Sequence, residues 1–116
     1  MLVCGSRDWR QPMLIQHYLR QLPRVLGTRE ITVIHGAARG ADEMAGRIAD
    51  AMGYEVREFP ADWRGQGKRA GILRNLAMLD QEPALVLAFQ RNGSRGTQHT
   101  IDEARRRGIP VEVYTA

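Results

Sequence analysis

The sequence contains a single cysteine, Cys4, and three widely separated histidines, and this scarcity limits the chemistry that the chain can carry. One cysteine forms neither an internal disulfide framework nor a cysteine-rich zinc cluster, and such usage suits a reducing compartment. His17, His35 and His99 do not lie at metal-ligand spacing from one another or from Cys4. We therefore expect no metal site and no cofactor, and we interpret Cys4 as a small core residue.

Long apolar runs, linkers, internal repeats and low-complexity segments are also missing. No apolar stretch approaches the roughly 18 residues of a transmembrane helix, and no signal peptide precedes the first strand-like run. The length of 116 residues and the hydrophobic content of 43% are typical of one globular domain. We predict a single domain over 1–116 that is cytoplasmic and not associated with a membrane.

Lysine and aromatic residues are scarce, whereas arginine is abundant. Lys68 is the one lysine among 17 basic residues, and 6% of the chain is aromatic. The net charge of +4 and the isoelectric point of about 10.0 favour anionic ligands such as phosphates, nucleotides or nucleic acid. Proteins that bind single-stranded nucleic acid stack the bases on aromatic side chains, and this chain has too few of them to form such a platform. A nucleic-acid partner is therefore not favoured.

Short apolar runs alternate with amphipathic segments along the whole chain, with Pro23 expected to end or break the first helix. The predicted strands are 1–4, 31–34, 54–59, 85–89 and 111–114, and the predicted helices are 12–26, 41–52, 66–80 and 97–107. This alternation predicts an α/β fold, a single Rossmann-like, doubly wound, mostly parallel five-stranded sheet with helices on both faces.

The helix predicted over 66–80 has two distinct sides. The side expected to face the core is an apolar stripe of Ile72, Leu73, Leu76, Ala77 and Leu79. The other side, away from the stripe, carries Gly71, Arg74, Asn75 and Met78.

Four loops follow the carboxyl ends of the first four strands, where ligands bind in doubly wound sheets. They are GSRDW (5–9), HGAARGAD (35–42), PADWRGQGK (60–68) and RNGSRGT (91–97). Glycine permits close backbone approach, arginine matches phosphate, and a helix N-terminus attracts anions. Each loop also has a plainer interpretation as a turn with solvent-facing side chains, and the residues alone leave both open.

Two loops contain residues with competing interpretations. Trp63 either caps the core or forms, with Asp62, a pocket wall beside Gly71, because an indole face stacks on bases and guanidinium groups. Arg39 either reaches a phosphate or pairs with Asp42. Asp42 in turn either caps the helix that begins there or contacts a ligand.

The motifs VCGSRDW, VIHGAARGADEMA, FPADWRGQGKRAGILRNLAM and GSRGTQHTIDEARRRGIPV together resemble the YspA/YpsA-related branch of the SLOG superfamily, named after the Smf/DprA and LOG (Lonely guy) proteins. The resemblance covers nearly the whole chain. It implies a compact Rossmann-like domain that binds a nucleotide or a nucleotide-derived ligand, with phosphate-contacting loops after the first and fourth strands. The ligand-binding residues that we predict on this basis are Gly5, Ser6, Arg7, His35, Gly36, Arg39, Gly40, Asp42, Asp62, Trp63, Lys68, Gly71, Arg74, Asn75, Gly93, Ser94, Arg95, Gly96 and Thr97.

One position departs from the enzymes of this superfamily. LOG enzymes cleave the N-glycosidic bond of nucleoside monophosphates and carry the motif PGGxGTxxE. When Gly96 and Thr97 are aligned with its GT, Thr100 occupies the position of the glutamate. A hydroxyl cannot replace the carboxylate that stabilises the departing sugar or activates water. We therefore predict no catalytic residue of the LOG type, while phosphate binding is unaffected.

The resemblance supports three functions of different classes. The first is a sensor or sequestering protein for a nucleotide-derived signal, for example a phage protein that removes a host immune signal. The alternative is a nucleotide hydrolase or phosphoribohydrolase whose carboxylate is Asp42, Asp62, Asp102 or Glu103, and the second alternative is DNA binding as in the DprA relatives. We also expect a homodimer or higher homo-oligomer, for which Met13, Leu14 and Tyr18 offer a candidate exposed apolar face.

Overall fold

The computed structural model describes residues 1–115 and contains one five-stranded sheet. The strands are β1 (Leu2–Gly5), β2 (Thr32–His35), β3 (Glu55–Glu58), β4 (Val86–Gln90) and β5 (Val111–Thr115). The helices are α1 (Pro12–Leu26), α2 (Ala41–Ala51), α3 (Trp63–Gln66), α4 (Ala70–Leu79) and α5 (Arg95–Arg106). All strand pairs are parallel, in the order β3-β2-β1-β4-β5, which confirms the predicted Rossmann-like architecture.

Helix α1 runs through Pro23 without a break, so the expectation that this proline ends or breaks the helix was wrong. Proline has no N–H, and the carbonyl of Leu19 therefore lacks the partner that an ordinary residue at position 23 would supply. The hydroxyl of Tyr54 donates to that carbonyl at 2.7 Å instead. A side chain from beyond α2 thus replaces the missing helical hydrogen bond.

The two faces of the sheet are covered by different helix pairs. Helices α1 and α2 pack together on one face, where α2 contributes a stripe of small buried residues, Ala41, Ala45 and Ala49. Helices α4 and α5 pack together on the other face, over an apolar cluster that includes Leu2, Ile34 and Val86 of the sheet. Because alanine keeps α2 close to the sheet, the start of α2 comes within contact distance of the end of β1.

The segment after β3 differs from the single helix predicted over 66–80. It folds as α3, a 3-10 turn over Gly67–Arg69, and then α4. The predicted core face of α4 was wrong in part: Leu79 of the predicted stripe is buried, but Ile72 is 49% exposed, and Asn75 and Met78 are buried instead. The side of α4 that carries the polar motif therefore faces the sheet rather than the solvent.

Strands β1 and β4 are neighbours in the sheet, although the chain visits β2 and β3 between them. This is the position at which the winding of the sheet reverses, and ligands of such sheets bind beyond the carboxyl ends of the strands there. Among residues 1–115, no helix combines the length and apolarity needed to span a membrane.

Candidate functional site

An open cleft of about 620 Å³ lies beyond the carboxyl ends of β1 and β4, at the start of α5. Its lining draws on the loops after β1, β2 and β4 and on one side of α4. The predicted residues that line it are Gly5, Ser6, Arg7, Arg39, Asp42, Arg74, Asn75, Ser94, Gly96 and Thr97. The lining residues that the sequence did not suggest as ligand contacts are Cys4, Asp8, Ala38, Met78, Arg91, Asn92 and Thr100.

The floor of the cleft is held by hydrogen bonds between the loops after β1 and β4. The hydroxyl of Ser6 accepts from the N–H of Arg91 at 2.7 Å and donates to the Arg91 carbonyl at 3.0 Å. Arg91 also donates through Nη1 to the carbonyl of Asp8 at 3.1 Å, and the Asn92 amide donates to the Asp8 carboxylate at 3.2 Å. Ser6 is almost fully buried, so the structure gives its hydroxyl a bridging role between the two loops.

Asp42 is a buried carboxylate that faces the cleft from the first turn of α2. Its Oδ2 accepts from the N–H of Gly36 at 3.1 Å and from that of Ala38 at 3.4 Å, whereas Gly40 holds the N-cap position without a side-chain bond. Asp42 therefore organises the preceding loop rather than capping the helix. Burial raises the pKa of Asp42 to about 6, although Arg74 and the two amides act in the opposite direction.

Arg74 reaches from α4 to the loop after β2. Its Nη1 donates to the carbonyl of Gly36 at 2.5 Å, and its Nε donates to the side-chain oxygen of Asn75 at 2.9 Å. A Cβ on Gly36 would lie 2.5 Å from that Nη1 and 2.9 Å from Oδ2 of Asp42. A side chain at position 36 would therefore displace the Arg74 guanidinium or the Asp42 carboxylate from its present place.

Gly5 and Gly40 allow the backbone of three loops to converge under the cleft. A Cβ on Gly5 would overlap the Cβ of Ala41, and one on Gly40 would overlap the carbonyl of Ser6. That same carbonyl accepts from the N–H of Ala41 at 3.2 Å. These two glycines are required by packing within the protein itself.

The start of α5 forms a further part of the cleft wall. The hydroxyl oxygen of Ser94 accepts two hydrogen bonds from Thr97, one from the backbone N–H at 3.5 Å and one from the side-chain hydroxyl at 3.1 Å. Ser94 therefore caps the helix. Thr100 is buried, and its hydroxyl donates to the carbonyl of Gly96 at 3.3 Å. A Cβ on Gly96 would meet nothing within 4 Å. Gly96 therefore leaves open space directly beside the positive end of the helix.

The charge of the cleft is predominantly positive. Four arginines, Arg7, Arg39, Arg74 and Arg91, line it against two carboxylates, those of Asp8 and Asp42. Arg39 is exposed and has no hydrogen bond or ion pair with any of residues 1–115. The guanidinium of Arg39 is consequently available to an anion, whereas Arg74 and Arg91 are anchored at backbone carbonyls.

Comparison with known proteins identifies the family. The model of the YspA, cpYpsA-related SLOG family (YAcAr) matches residues 1–65. The chain is a member of this SLOG family. It is also similar to the Gene 61 protein of Mycobacterium phage D29, with 39% identity over 117 residues that cover 96% of this chain and 92% of the phage protein.

The remaining residues predicted for this SLOG chain do not line the cleft. Gly36 and Trp63 line an adjoining hollow of about 590 Å³, which shares Arg7, Arg39 and Arg74 with the cleft. The other predicted residues that the cleft lining does not include are His35, Gly40, Asp62, Lys68, Gly71, Gly93 and Arg95.

Trp63 begins α3 and is 52% exposed, so it does not cap the core. Its ring lies over Gly71, where a Cβ would come within 3.3 Å of the indole. The Asp62 carboxylate caps α3 by accepting from the N–H of Gly65 at 2.9 Å. Lys68 is exposed in the 3-10 turn. The structure therefore gives Asp62 a local structural role and leaves Trp63 on the wall of the adjoining hollow.

His35 in this SLOG domain is buried beside α2 and lines a third hollow, with Gly46 and Glu58. Its Nδ1 accepts from the N–H of Ala37 at 3.0 Å, so the proton of the neutral ring lies on Nε2. Nε2 has no hydrogen-bond partner among residues 1–115. Burial lowers the pKa of His35, which favours the neutral ring. The ring is therefore a buried neutral group outside the cleft lining.

Proposed function

We propose that the cleft binds a nucleotide-derived ligand through its phosphate groups, and that the protein acts as a sensor or a sequestering protein for that ligand. The observation that carries this proposal is the arginine-lined cleft at the point where the sheet reverses its winding. Membership of the SLOG family independently supports a nucleotide-related ligand.

The phosphate position that we propose is the start of α5. Amides in the first turn of a helix lack intrahelical acceptors, and the helix dipole favours negative charge there. Gly96 leaves open space at that point, and Ser94 and Thr97 belong to the lining of the same cleft. A phosphate at this position lies in the same cleft as the free guanidinium of Arg39.

The nucleoside end of the ligand is proposed to lie toward Asp42. A buried carboxylate is the strongest acceptor in the cleft, and ribose hydroxyls are suitable donors. Four arginines against two carboxylates leave two positive charges, which match one terminal phosphate of about −1.5 to −2 charge or two singly charged phosphodiester groups. The small side chain of Ala38 leaves the rim between these ends low.

A second candidate function is hydrolysis of the nucleotide, and one observation favours it. Asp42 combines burial, a place in the cleft lining and a pKa raised to about 6, which are properties of catalytic carboxylates. The other three candidates have structural partners outside the cleft lining. Asp62 caps α3, Asp102 accepts from Gln98 at 2.8 Å, and two arginines bind Glu103. Hydrolysis is therefore proposed only through Asp42.

The relative in a mycobacteriophage supports the more specific version of the first function. In that version the protein binds a signalling nucleotide of the host cell and lowers its free concentration. Sequestration requires binding without turnover, and Thr100 at the position of the LOG glutamate is consistent with this.

Calorimetric titration of the protein with nucleoside mono- and diphosphates, cyclic nucleotides and ADP-ribose derivatives tests the binding proposal. Arg39→Ala should weaken the tightest interaction by roughly 10- to 100-fold, because a charge-assisted hydrogen bond contributes about 1.5–3 kcal/mol. Arg105→Ala is the matched control, since it removes the same charge from the last turn of α5. Absence of binding across the panel, or equal losses in the two variants, would contradict the proposal.

Chromatography after incubation with nucleoside monophosphates and NAD separates the two functions. A sequestering protein leaves these compounds unchanged, whereas a hydrolase releases the free base. If base is released, Asp42→Asn should abolish the release and Glu103→Gln should not.

A further inference from the structure

The two edges of the sheet differ in how they are protected against pairing with another strand. The β3 edge carries exposed charges at Glu55, Arg57 and Glu58, with Arg57 Nε 3.1 Å from Glu55 Oε1. Charged side chains are a common means of blocking an open edge. The β5 edge has the sequence VEVYT, in which Glu112 is the one charged residue. Its composition of β-branched and aromatic residues is that of a paired strand.

The hydrogen bonds to β4 establish which backbone groups of β5 face outward. The N–H of Val86 donates to the carbonyl of Pro110 at 2.9 Å. Because successive residues of a strand alternate, residues 112 and 114 also direct their backbone groups toward β4. The backbone groups of Val111, Val113 and Thr115 therefore point away from the sheet. Among residues 1–115, no strand pairs with this outer edge.

We propose that β5 pairs with β5 of a second copy of this chain, in an antiparallel arrangement around a two-fold axis at Val113. In this register Val113 opposes Val113 of the second copy, and Val111 opposes Thr115. Every outward N–H and C=O of these three residues then has a partner, as in the hydrogen-bonded pairs of an antiparallel ladder. The two sheets join into one continuous sheet, and each layer of helices continues into the same layer of the second copy.

Charge favours this register over the one centred on residue 112. Centring the axis on residue 112 would place Glu112 directly opposite its own copy, and like charges opposite each other destabilise a strand pair. Centring it on Val113 places Glu112 opposite Tyr114 of the second copy. The hydroxyl of Tyr114 already donates to the Glu112 carboxylate within one chain, so the same two groups suit each other across the axis.

Aromatic and apolar side chains flank the proposed interface on the α1 side. The rings of Tyr114 and Tyr18 are stacked with their centroids 3.8 Å apart. A shallow groove of about 190 Å³ runs beside them, and its wall includes Val25, which is 57% exposed. Of the apolar face expected from the sequence to be exposed, Met13 is exposed, whereas Leu14 and Tyr18 are partly buried against the core. A second copy of β5 would cover this groove.

Sedimentation equilibrium over a range of protein concentrations tests the proposal. The native chain should give a dimer of twice 13.1 kDa, with no larger species. Thr115→Pro removes an outward N–H and leaves the bonds to β4 intact, which is the placement that proline tolerates in an edge strand. Symmetry doubles the loss, so the dimer dissociation constant should rise by at least about tenfold. Thr115→Ser retains the N–H and should dimerise like the native chain.

Disulfide trapping provides a second measurement that does not depend on proline being tolerated. Opposed residues of a hydrogen-bonded pair have Cα atoms about 5.5 Å apart, within disulfide range. With oxidised glutathione as oxidant, Val113→Cys should form a covalent dimer faster than the control Glu58→Cys on the β3 edge. Cys4 is buried, which raises the pKa of its thiol and keeps it unreactive.

Four outcomes would overturn the proposal. They are a native chain that stays monomeric at all concentrations, Thr115→Pro dimers as tight as native ones, equal trapping at positions 113 and 58, and assembly that grows beyond the dimer.

Discussion

Replacement of Asp42 by asparagine should make the folded protein more stable at neutral pH. The buried Asp42 side chain holds two backbone amides through Oδ2, and the oxygen of an asparagine accepts from the same amides. The substitution therefore preserves shape and hydrogen bonding while it removes a buried charge. A group that costs stability in its ionised form and lies in a cleft is expected where the charge serves binding or chemistry.

The magnitude follows from the pKa of Asp42, which burial raises from 3.8 to about 6. The difference corresponds to roughly 3 kcal/mol between the protonated and ionised forms. Between these two values the folded state binds more protons than the unfolded state, so the contribution of Asp42 to stability falls as the pH rises through that window. The asparagine side chain does not ionise. We therefore expect Asp42→Asn to be more stable than the native protein by about 3 kcal/mol at pH 7.5 and by roughly half of that at pH 5.

Urea unfolding of both proteins between pH 5 and 7.5, followed by the fluorescence of the buried Trp9, measures this difference. Asp8→Asn is the control, because Asp8 is an exposed carboxylate in the lining of the same cleft. His35 is present in the native protein and in both variants, so its contribution to the pH dependence of stability cancels when they are compared. A stability difference for Asp42→Asn that does not change with pH, or a loss of stability at pH 7.5, would refute the reasoning.

Two further substitutions test the fold and the site separately. Tyr54→Phe removes the hydrogen bond that replaces the missing N–H of Pro23 at the Leu19 carbonyl, and it should lower the free energy of unfolding by about 1–3 kcal/mol in thermal denaturation. Gly96→Ala should leave stability unchanged or raise it by up to about 1 kcal/mol, since alanine favours helix, yet it should weaken nucleotide binding because its methyl group enters the cleft. Gly5→Ala, by contrast, should unfold or strongly destabilise the protein, because its Cβ would overlap that of Ala41. Equal effects of the two glycine substitutions on stability would contradict this distinction.

The sequence was sufficient to predict the class of the fold and the alternation of strands and helices along the chain. Apolar runs such as LVLAF at 85–89 can only be buried on both faces, and their alternation with helical segments requires parallel strands. The path through Pro23 was not predictable, because it depends on Tyr54, which is distant in the chain and donates to a carbonyl that a local pattern cannot connect with it. Tertiary contacts override local propensity at such points.

The site was predictable at the level of loops and less so at the level of individual roles. Glycine suggested ligand clearance at all four loops, yet Gly5 is explained by helix packing and Gly36 by the position of Arg74. Arg91 was missed because its role arises only when the loops after β1 and β4 meet. Its place as the first residue of the loop RNGSRGT was the signal that could have identified it.

The face of α4 was misjudged because hydrophobicity alone assigned it. Asn75 is buried, with its amide 3.4 Å from the carbonyl of Gly96 on α5, whereas Ile72 is half exposed. A polar side chain can be buried where a neighbouring element supplies its hydrogen-bond partner. Periodicity of apolar residues does not reveal such a partner.

A crystal structure of the protein with the tightest-binding nucleotide tests the central claim most directly. We predict a phosphate at the start of α5 beside Gly96, within hydrogen-bond distance of first-turn amides, with the guanidinium of Arg39 turned toward the ligand and the ribose near Asp42. A nucleotide bound outside this cleft, or bound within it with its phosphates directed away from α5 and the arginines, would contradict the account.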